Sequence, residues 1–379
     1  MTFPQKSIPK FLIVSLCLVS LMMGCSSLPA MFPMPPVTPT VHVPQVSNGL
    51  IAFTAQPDGS MDIYTMNPDG GDIKRTATND GFAPVWTRDS DHIIFTTWNE
   101  DRRQRLYVME IDGSNNQPFF DGWVETFVWS PDGTKAAISV IDETDGTGPV
   151  KFDIYILNAD GTDAYRLPTY ESDLAVAIEP AWSPDGKKIV FAANRGEYPD
   201  DPQDIYMINT DGTQLRQLTH NTDVERIPQW SPDGKRIFFA SSEQYQSHDQ
   251  LKAYVMDVDG SNIQPLIEMP VDSRVINYTS EAWPISPDST LMLLPTRQDE
   301  KYFMNVVDTS TYSVLFTLEN WVRALWSPDG KQILYYDYFY KRGADYSTYH
   351  TMNADGTEDH EFKSPFGWAN SFAWQPVWK

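Results

Sequence analysis

The stretch Pro228-Gln229-Trp230-Ser231-Pro232-Asp233-Gly234-Lys235-Arg236-Ile237-Phe238-Phe239 decides the fold. Its Ser-Pro-Asp-Gly turn stands between two runs of β-formers. Proline presets φ at the second turn position, Asp suits the third, and Gly takes the left-handed position that other side chains avoid. Before it come Asp204-Ile205-Tyr206-Met207-Ile208-Asn209-Thr210-Asp211-Gly212-Thr213 and Leu215-Arg216-Gln217-Leu218-Thr219, a second hairpin turned by Asn-x-Asp-Gly-Thr. Together these make four short strands, A to D, with strand A ending at the tryptophan. Turn signals at intervals of about ten residues argue for an all-β chain.

The unit recurs along the chain. Its tryptophan is found at Trp86, Trp129, Trp182, Trp230, Trp326 and Trp374, and Ile285 takes the slot before Ser286-Pro287-Asp288. Spacings of about 43 to 53 residues are those of propeller blades. Strand B occurs at Ile51, Ile93, Ala137, Ile189, Phe238, Met292 and Leu334, and strand C at Tyr64, Tyr107, Tyr155, Tyr206, Tyr254, Phe303 and Tyr349. The chain enters the repeats at a strand B (49–54) and leaves them at a strand A (372–378). The expected fold is therefore a seven-bladed β-propeller of four-stranded blades, with the C-terminal strand completing the N-terminal blade and removing an exposed sheet edge. Turns at Thr87-Arg88-Asp89-Ser90, Pro287-Asp288-Ser289 and Asp308-Thr309-Ser310 depart from the pattern and are expected to weaken their hairpins.

Trp-Ser-Pro-Asp-Gly-Lys and Asp-Ile-Tyr-x-x-Asn-x-Asp-Gly resemble the TolB-like propeller repeat, a relative of the WD-repeat class, over about residues 48–379. The resemblance implies a fold and leaves function open. That family includes the periplasmic Tol–Pal component, the substrate-gating propellers of prolyl-oligopeptidase-like peptidases and many exported proteins. Two departures matter. The Tol–Pal protein looks like an α/β domain followed by six blades, for which this chain has no room beside a seventh blade. The peptidases carry a hydrolase domain, and none is expected here.

The first residues read as an address. Lys6 and Lys10 precede an apolar run over 11–23, too short to span a bilayer, followed by Gly24-Cys25. The run ends in a sequence resembling a bacterial lipobox, which implies a signal peptide over 1–24 and lipidation of Cys25. A Pro-rich tether follows over 25–47; in extended polyproline form, at about 3.1 Å per residue, it reaches about 70 Å. Cys17 and Cys25 are the two cysteines, so the repeats hold no thiol for a disulfide, a nucleophile or a zinc site.

The 51 acidic residues against 28 basic ones give a net charge of −23, and removing the two lysines of 1–24 takes it to −25. Such a chain cannot displace counterions from nucleic acid. Among exported partners, that leaves an envelope protein or a polysaccharide, bound by a monomer held to the membrane through its N-terminal lipid, outside the cytoplasm.

No Gly-x-Ser-x-Gly elbow, His-Glu-x-x-His or phosphate-cradling loop is present. His220 reads as a loop residue, and His248, His350 and His360 fall in different blades at no metal-ligand spacing. The Asp-Gly pairs read as turns and no cofactor is expected. Calcium would find its best hard-oxygen cluster at Asp142 and Asp145, in a loop that reads foremost as solvated.

The D–A connections and B–C loops of a propeller emerge at one end. They carry Trp98, Trp123, Glu125, Glu179, Tyr198, Glu225, Arg226, Tyr245, Glu281, Trp321, Arg323 and Trp368. Aromatic faces beside carboxylates and guanidinium groups suit extended peptides or sugars, while the same rings could serve only to pack blades. All but Glu225 are taken as the candidate ligand-binding face. The expected function is a membrane-anchored binding or scaffold protein. The alternative is a propeller lyase or hydrolase acting on glycans with an axial metal.

Overall fold

The computed structural model describes residues 46–379 except 58, 78–79, 99–102, 143–150, 170–173, 175, 195–201, 243–251, 267–282, 299–300, 320–322, 337–347, 364–365, 367–368 and 379. The described residues form strands and turns only. β1 (Val46–Ala55), β2 (Asp62–Met66) and β3 (Lys74–Ala77) open the chain, followed by β4 (Gly81–Trp86), β5 (His92–Trp98), β6 (Gln104–Glu110) and β7 (Gln117–Phe120). Next come β8 (Trp123–Trp129), β9 (Lys135–Asp142), β10 (Lys151–Asn158) and β11 (Tyr165–Arg166), then β12 (Val176–Trp182), β13 (Lys188–Asn194), β14 (Asp204–Asn209) and β15 (Arg216–Gln217). β16 (Val224–Trp230), β17 (Arg236–Ser242), β18 (Lys252–Asp257) and β19 (Gln264–Pro265) precede β20 (Leu291–Gln298), β21 (Lys301–Asp308) and β22 (Val314–Glu319). The last strands are β23 (Arg323–Trp326), β24 (Gln332–Tyr336), β25 (Thr348–Asn353), β26 (His360–Lys363) and β27 (Ala369–Trp378).

These strands form antiparallel meanders, the elements of an all-β propeller. β27 pairs with β1 from Val46↔Trp378 to Ala55↔Ala369, so the last strand completes the first sheet in the order β27-β1-β2-β3. The expectation of seven separate four-stranded sheets needs correction. Five sheets are blade-sized: β27 with β1–β3, β4–β7, β16–β19, the three-stranded β20–β22, and β23–β26. The rest is one eight-stranded sheet, because a parallel pair, Phe152↔Val176, joins β10 to β12. Among the described residues ahead of β20, the bridge Ile285↔Met292 stands where a first strand is expected.

The core lies between strand groups. Buried apolar side chains of the described residues gather into seven clusters. Six bridge neighbouring sheets: Ala52, Ile63, Trp86 and Ile93 in one, Leu293, Val306, Trp326 and Ile333 in another. The seventh, around Ala137, Ile154, Ala177, Ile189 and Phe191, lies between the two halves of the eight-stranded sheet. Each large apolar side chain so buried contributes about 1.5–3 kcal/mol.

Four of the recurrent tryptophans clasp their strand group to the one before it, while the indole nitrogens of Trp230 and Trp374 are buried without a partner among the described residues. The indole of Trp86 donates to Ala373 O at 3.1 Å, Trp129 to Trp86 O at 3.0 Å, Trp182 to Val128 O at 3.3 Å and Trp326 to Pro284 O at 3.0 Å. Where Ile285 takes the slot, Trp283 fills the core two residues earlier and is 1% exposed.

The turns explain much of the acidic count. Ser183 Oγ donates to Asp185 at 2.7 Å and accepts from Lys188 N at 2.9 Å, while Lys187 N donates to the same carboxylate at 3.1 Å. Ser130, Ser231, Ser286 and Ser327 repeat the arrangement. The serine hydroxyl holds the Asp132 and Asp185 carboxyls below the ordinary range. The two departing Asp-Ser turns keep it: Thr87 and Ser286 make the same bonds, with Ser90 and Ser289 in glycine's place at φ 66° and 71°. In the C–D turns, Asp160, Asp211 and Asp355 accept from the backbone N–H and hydroxyl of the threonine two residues on.

Candidate functional site

Antiparallel register fixes where the candidate residues lie. First strands begin, and second strands end, at one end of the propeller: Phe82 lies opposite Thr96, Trp123 opposite Ile141, Val176 opposite Asn194, Val224 opposite Ser242 and Arg323 opposite Tyr336. The turns just described lie at the other end.

Near their start β4, β8, β12, β16 and β27 carry a β-bulge. Three residues before the tryptophan, Ala83, Glu179, Ile227 and Ser371 adopt left-handed φ of 51°, 56°, 59° and 50°. β8 shifts register at Glu125, between Val124 and Thr126. A bulge re-aims a side chain and releases a backbone N–H from the ladder. The preceding strand group satisfies it: Ala83 N donates to Thr54 Oγ1 at 3.2 Å, and Ile227 N to Glu179 Oε2 at 2.6 Å.

Glu179 therefore has two tasks. Its other oxygen accepts from Arg226 Nη2 at 2.7 Å, with side chains 7% and 14% exposed. Glu125 completes the cluster. Burial pushes its carboxyl above the ordinary range, the charge of Glu179 adds to this, and Arg226 partly offsets it. Three neighbouring inner strands, β8, β12 and β16, thus bring two carboxyls to one guanidinium. With all three ionised the cluster bears one net negative charge.

Trp98 ends β5 with 42% of its surface exposed and stacks on Phe82 at 5.5 Å between centroids, a flat apolar platform. Trp123 and Arg323, both half-buried, begin β8 and β23 at the same end. Tyr198, Tyr245, Glu281, Trp321 and Trp368 lie outside the described residues, as do Cys25, Asp145 and the side chain of Asp142. The structure joins Glu125, Glu179 and Arg226, and places Trp98, Trp123 and Arg323 at the same end as separate groups.

Glu225, a neighbour of Arg226 in sequence, faces elsewhere. It is 1% exposed, its N–H donates to Gln203 O at 2.8 Å, and Asn221 Nδ2 donates to its Oε1 at 2.6 Å. Burial raises its carboxyl to about 7, with Asp204 and Asp223 adding to the rise against bonds from Thr219 and Asn221. Sequence reading overlooked Asp204. The available signal was a spacing of 13 residues: Asp62 pairs with Arg75, Asp153 with Arg166, and Asp204 meets Gln217.

Among the described residues, no three His, Cys, Asp or Glu side chains converge to hold a metal, and no helix is long and apolar enough to cross a membrane.

Residues 150–291 match the Tricorn protease N-terminal beta propeller domain. The uncharacterized peptidase YuxL of Bacillus subtilis is 28% identical over 157 residues, covering 33% of this chain and 24% of the relative. The chain thus spans about a quarter of that relative's length. Among solved structures, a puromycin-hydrolyzing peptidase of Mycobacterium tuberculosis superposes with a TM-score of 0.62 at 14% identity, covering 85% of this chain and 53% of the other. An oligogalacturonate lyase in complex with manganese gives 0.55 at 16% identity, with 76% and 82% covered. TolB from Acinetobacter baumannii gives 0.51 at 17% identity, with 88% and 82% covered. These proteins differ in what their names say they do, and the feature they share with this chain is its fold: the chain is a β-propeller.

Proposed function

We propose that this chain is a lipid-anchored, extracytoplasmic binding or scaffold protein that engages a partner through the end of its propeller bearing Glu125, Glu179, Arg226 and Trp98. The observation that carries the reading is the Glu125 carboxyl, half-buried on an inner strand with no hydrogen bond among the described residues and beside an ion pair already satisfied. A cationic group could take up that charge. The chain's net charge of −23 attracts such a partner and repels an acidic polysaccharide, so a protein segment with a basic side chain suits the site better. The exposed Trp98–Phe82 platform offers an apolar contact at the rim.

The ring carrying this face is proposed to have seven blades, the eight-stranded sheet counting as two. Supporting this, an apolar cluster lies between that sheet's halves just as others lie between separate sheets, and Trp182 clasps Val128 across it. Export and lipidation at Cys25 rest on the sequence. The TolB-like fold is compatible with a place outside the cytoplasm.

The competing reading, a lyase or hydrolase acting on glycans, draws on the same Glu125, since a raised carboxyl is the protonated form that a general acid needs. One experiment separates them. The full chain, anchored to vesicles through its N-terminus, is exposed to an envelope extract of the source organism. Bound material is analysed by mass spectrometry and sugar analysis. The binding reading expects a saturable protein partner whose retention falls about tenfold or more in Glu125→Lys and Trp98→Ala, while Lys187→Ala at the opposite end changes nothing. Recovery of a shortened or unsaturated glycan instead would install the enzyme reading.

A further inference from the structure

One junction departs from its counterparts twice, and both departures add negative charge. In two other strand groups the aspartate opening the third strand is met by an arginine from the fourth: Arg75 Nη2 lies 2.5 Å from Asp62 and Arg166 Nη2 lies 2.6 Å from Asp153. At Asp204 the corresponding residue is Gln217, whose Nε2 donates to Asp204 Oδ2 at 2.8 Å and brings no charge. Five residues before the recurrent tryptophan, or the Ile285 that takes its slot, the other copies have Gly81, Val124, Ala177, Ser280, Trp321 and Ala369, all of them uncharged. Before Trp230 the position is Glu225. Relative to its equivalents, the junction of β14, β15 and β16 has lost a cation and gained an anion.

The hydrogen bonds leave oxygens over. Gln217 Nε2 serves Asp204 and Thr219 O, and Asn221 Nδ2 serves Glu225 Oε1. The single hydroxyl of Thr219 lies 3.4 Å from Asp204 Oδ1 and also reaches Glu225. Glu225 Oε2 and Gln203 Oε1 are fully buried and have no donor among the described residues, although both residues are 1% exposed. Glu225 N bonds to Gln203 O, and Asp204 is the next residue, so these oxygens belong to one neighbourhood. Buried oxygens without donors are costly, and uncompensated buried carboxylates more so. His220, exposed beside Asp204, acts on that carboxyl by charge, and Asp223 adds a further acid beside Glu225.

We infer that Asp204, Glu225 and Gln203 form a binding site for a hard divalent cation of the calcium type, taking the position that a guanidinium occupies in the sibling repeats. Two carboxylates and amide oxygens are the ligand chemistry such an ion selects, and a site of this mixed kind needs no third acidic or imidazole ligand. The site is separate from the axial cluster, so the inference does not depend on what the propeller binds.

Calcium titration of the full chain, freed of metal with a chelator, tests it at about pH 8, where an ordinary imidazole is neutral. Binding is followed by calorimetry, and thermal unfolding with and without millimolar calcium. The expected results are one calcium per chain and a midpoint raised by a few degrees. Glu225→Gln should weaken binding about tenfold or more. Gln217→Arg should do the same while raising the midpoint in chelator, because it restores the ion pair of Asp62 and Asp153. Asp145→Asn, in the other acidic loop, should bind as the wild type does. A midpoint indifferent to calcium overturns the inference and leaves a proton as the counter-charge of Glu225. Calcium binding retained in both Glu225→Gln and Gln217→Arg, or lost in Asp145→Asn, also overturns it.

Discussion

The two ends of the propeller use their acidic residues in opposite ways. At the turn end, each aspartate is committed to its own chain: Asp185 accepts from Ser183 and Lys187, and Asp308 accepts from Ser310 and Thr311, which lowers its carboxyl to about 2. At the other end, half-buried Glu125 and buried Glu225 have too few donors and their carboxyls rise. Sequence composition cannot distinguish the two populations, since both are simply Asp and Glu. The difference lies in whether a nearby hydroxyl or N–H donates to the carboxyl, and this makes one end a scaffold and the other a surface able to take a counter-charge.

The largest test of that contrast is Arg226→Met. Among the described residues Arg226 is the cation acting on Glu125 and Glu179, and its pair is largely buried. Removing it leaves a desolvated carboxylate uncompensated, a loss of about 3–5 kcal/mol. Urea unfolding of the variant should show it at neutral pH, with partial recovery in Glu179→Gln/Arg226→Met, where the carboxylate that had paired with Arg226 is gone and Glu125 remains as the one carboxyl of the three. A loss below about 1 kcal/mol would place this pair with exposed ion pairs and remove the contrast.

The two ends should also answer pH with opposite signs. The Glu225 carboxyl stands at about 7 in the folded chain against 4.5 for an ordinary glutamate. Its contribution is fully present below about 4.5 and is lost as pH rises through about 7, a decline on the order of 3 kcal/mol for so buried a group. Asp132 and Asp185 are lowered, so their contribution is present above the ordinary carboxylate range and is lost as pH falls below it. Metal-free stability should therefore be greatest in mildly acidic buffer. Glu225→Gln should abolish the fall between about pH 5 and pH 8 while leaving the acid limb intact.

The legibility of the chain follows the same division. Turns and strands could be read because Ser-Pro-Asp-Gly and Asn-x-Asp-Gly encode their conformation locally, and because Trp86, Trp129, Trp182 and Trp326 perform one task each time, donating to the neighbouring backbone. The parallel pair Phe152↔Val176 that joins two strand groups is a non-local contact with no periodic signature. The site was readable only by address. The order of strands within a blade placed Glu125, Glu179 and Arg226 at one end, yet a bulge decides which way each side chain points, and left-handed Ile227 and Glu179 are not residues that announce one. Glu225 was placed at that end and left out of the candidate face, and its burial depends on Gln203 and Asn221, brought to it by tertiary structure. Comparing copies position by position, Arg75 and Arg166 against Gln217, was the signal within reach.

The smallest effect belongs to the turn end. Ser183→Ala removes the hydroxyl that donates to Asp185 and accepts from Lys188 N, but the Asp185 carboxylate is exposed and can take water in its place. The net loss should therefore be about 0.5–1.5 kcal/mol, well below that of the buried pair. Ser183→Thr should be close to neutral, because Thr87 already makes the same bonds to Asp89 at 2.5 Å and from His92 N at 3.2 Å. A double-mutant cycle with Asp185→Ala sharpens the point. If serine and aspartate act as one unit, the double variant loses little more than either single one, and the coupling approaches the whole effect of Ser183→Ala. Additive losses would mean that the motif recurs for backbone conformation alone, through proline and glycine. The turn-end aspartates would then be as uncommitted as Glu125, and the distinction between the two ends would rest on burial instead of hydrogen bonding.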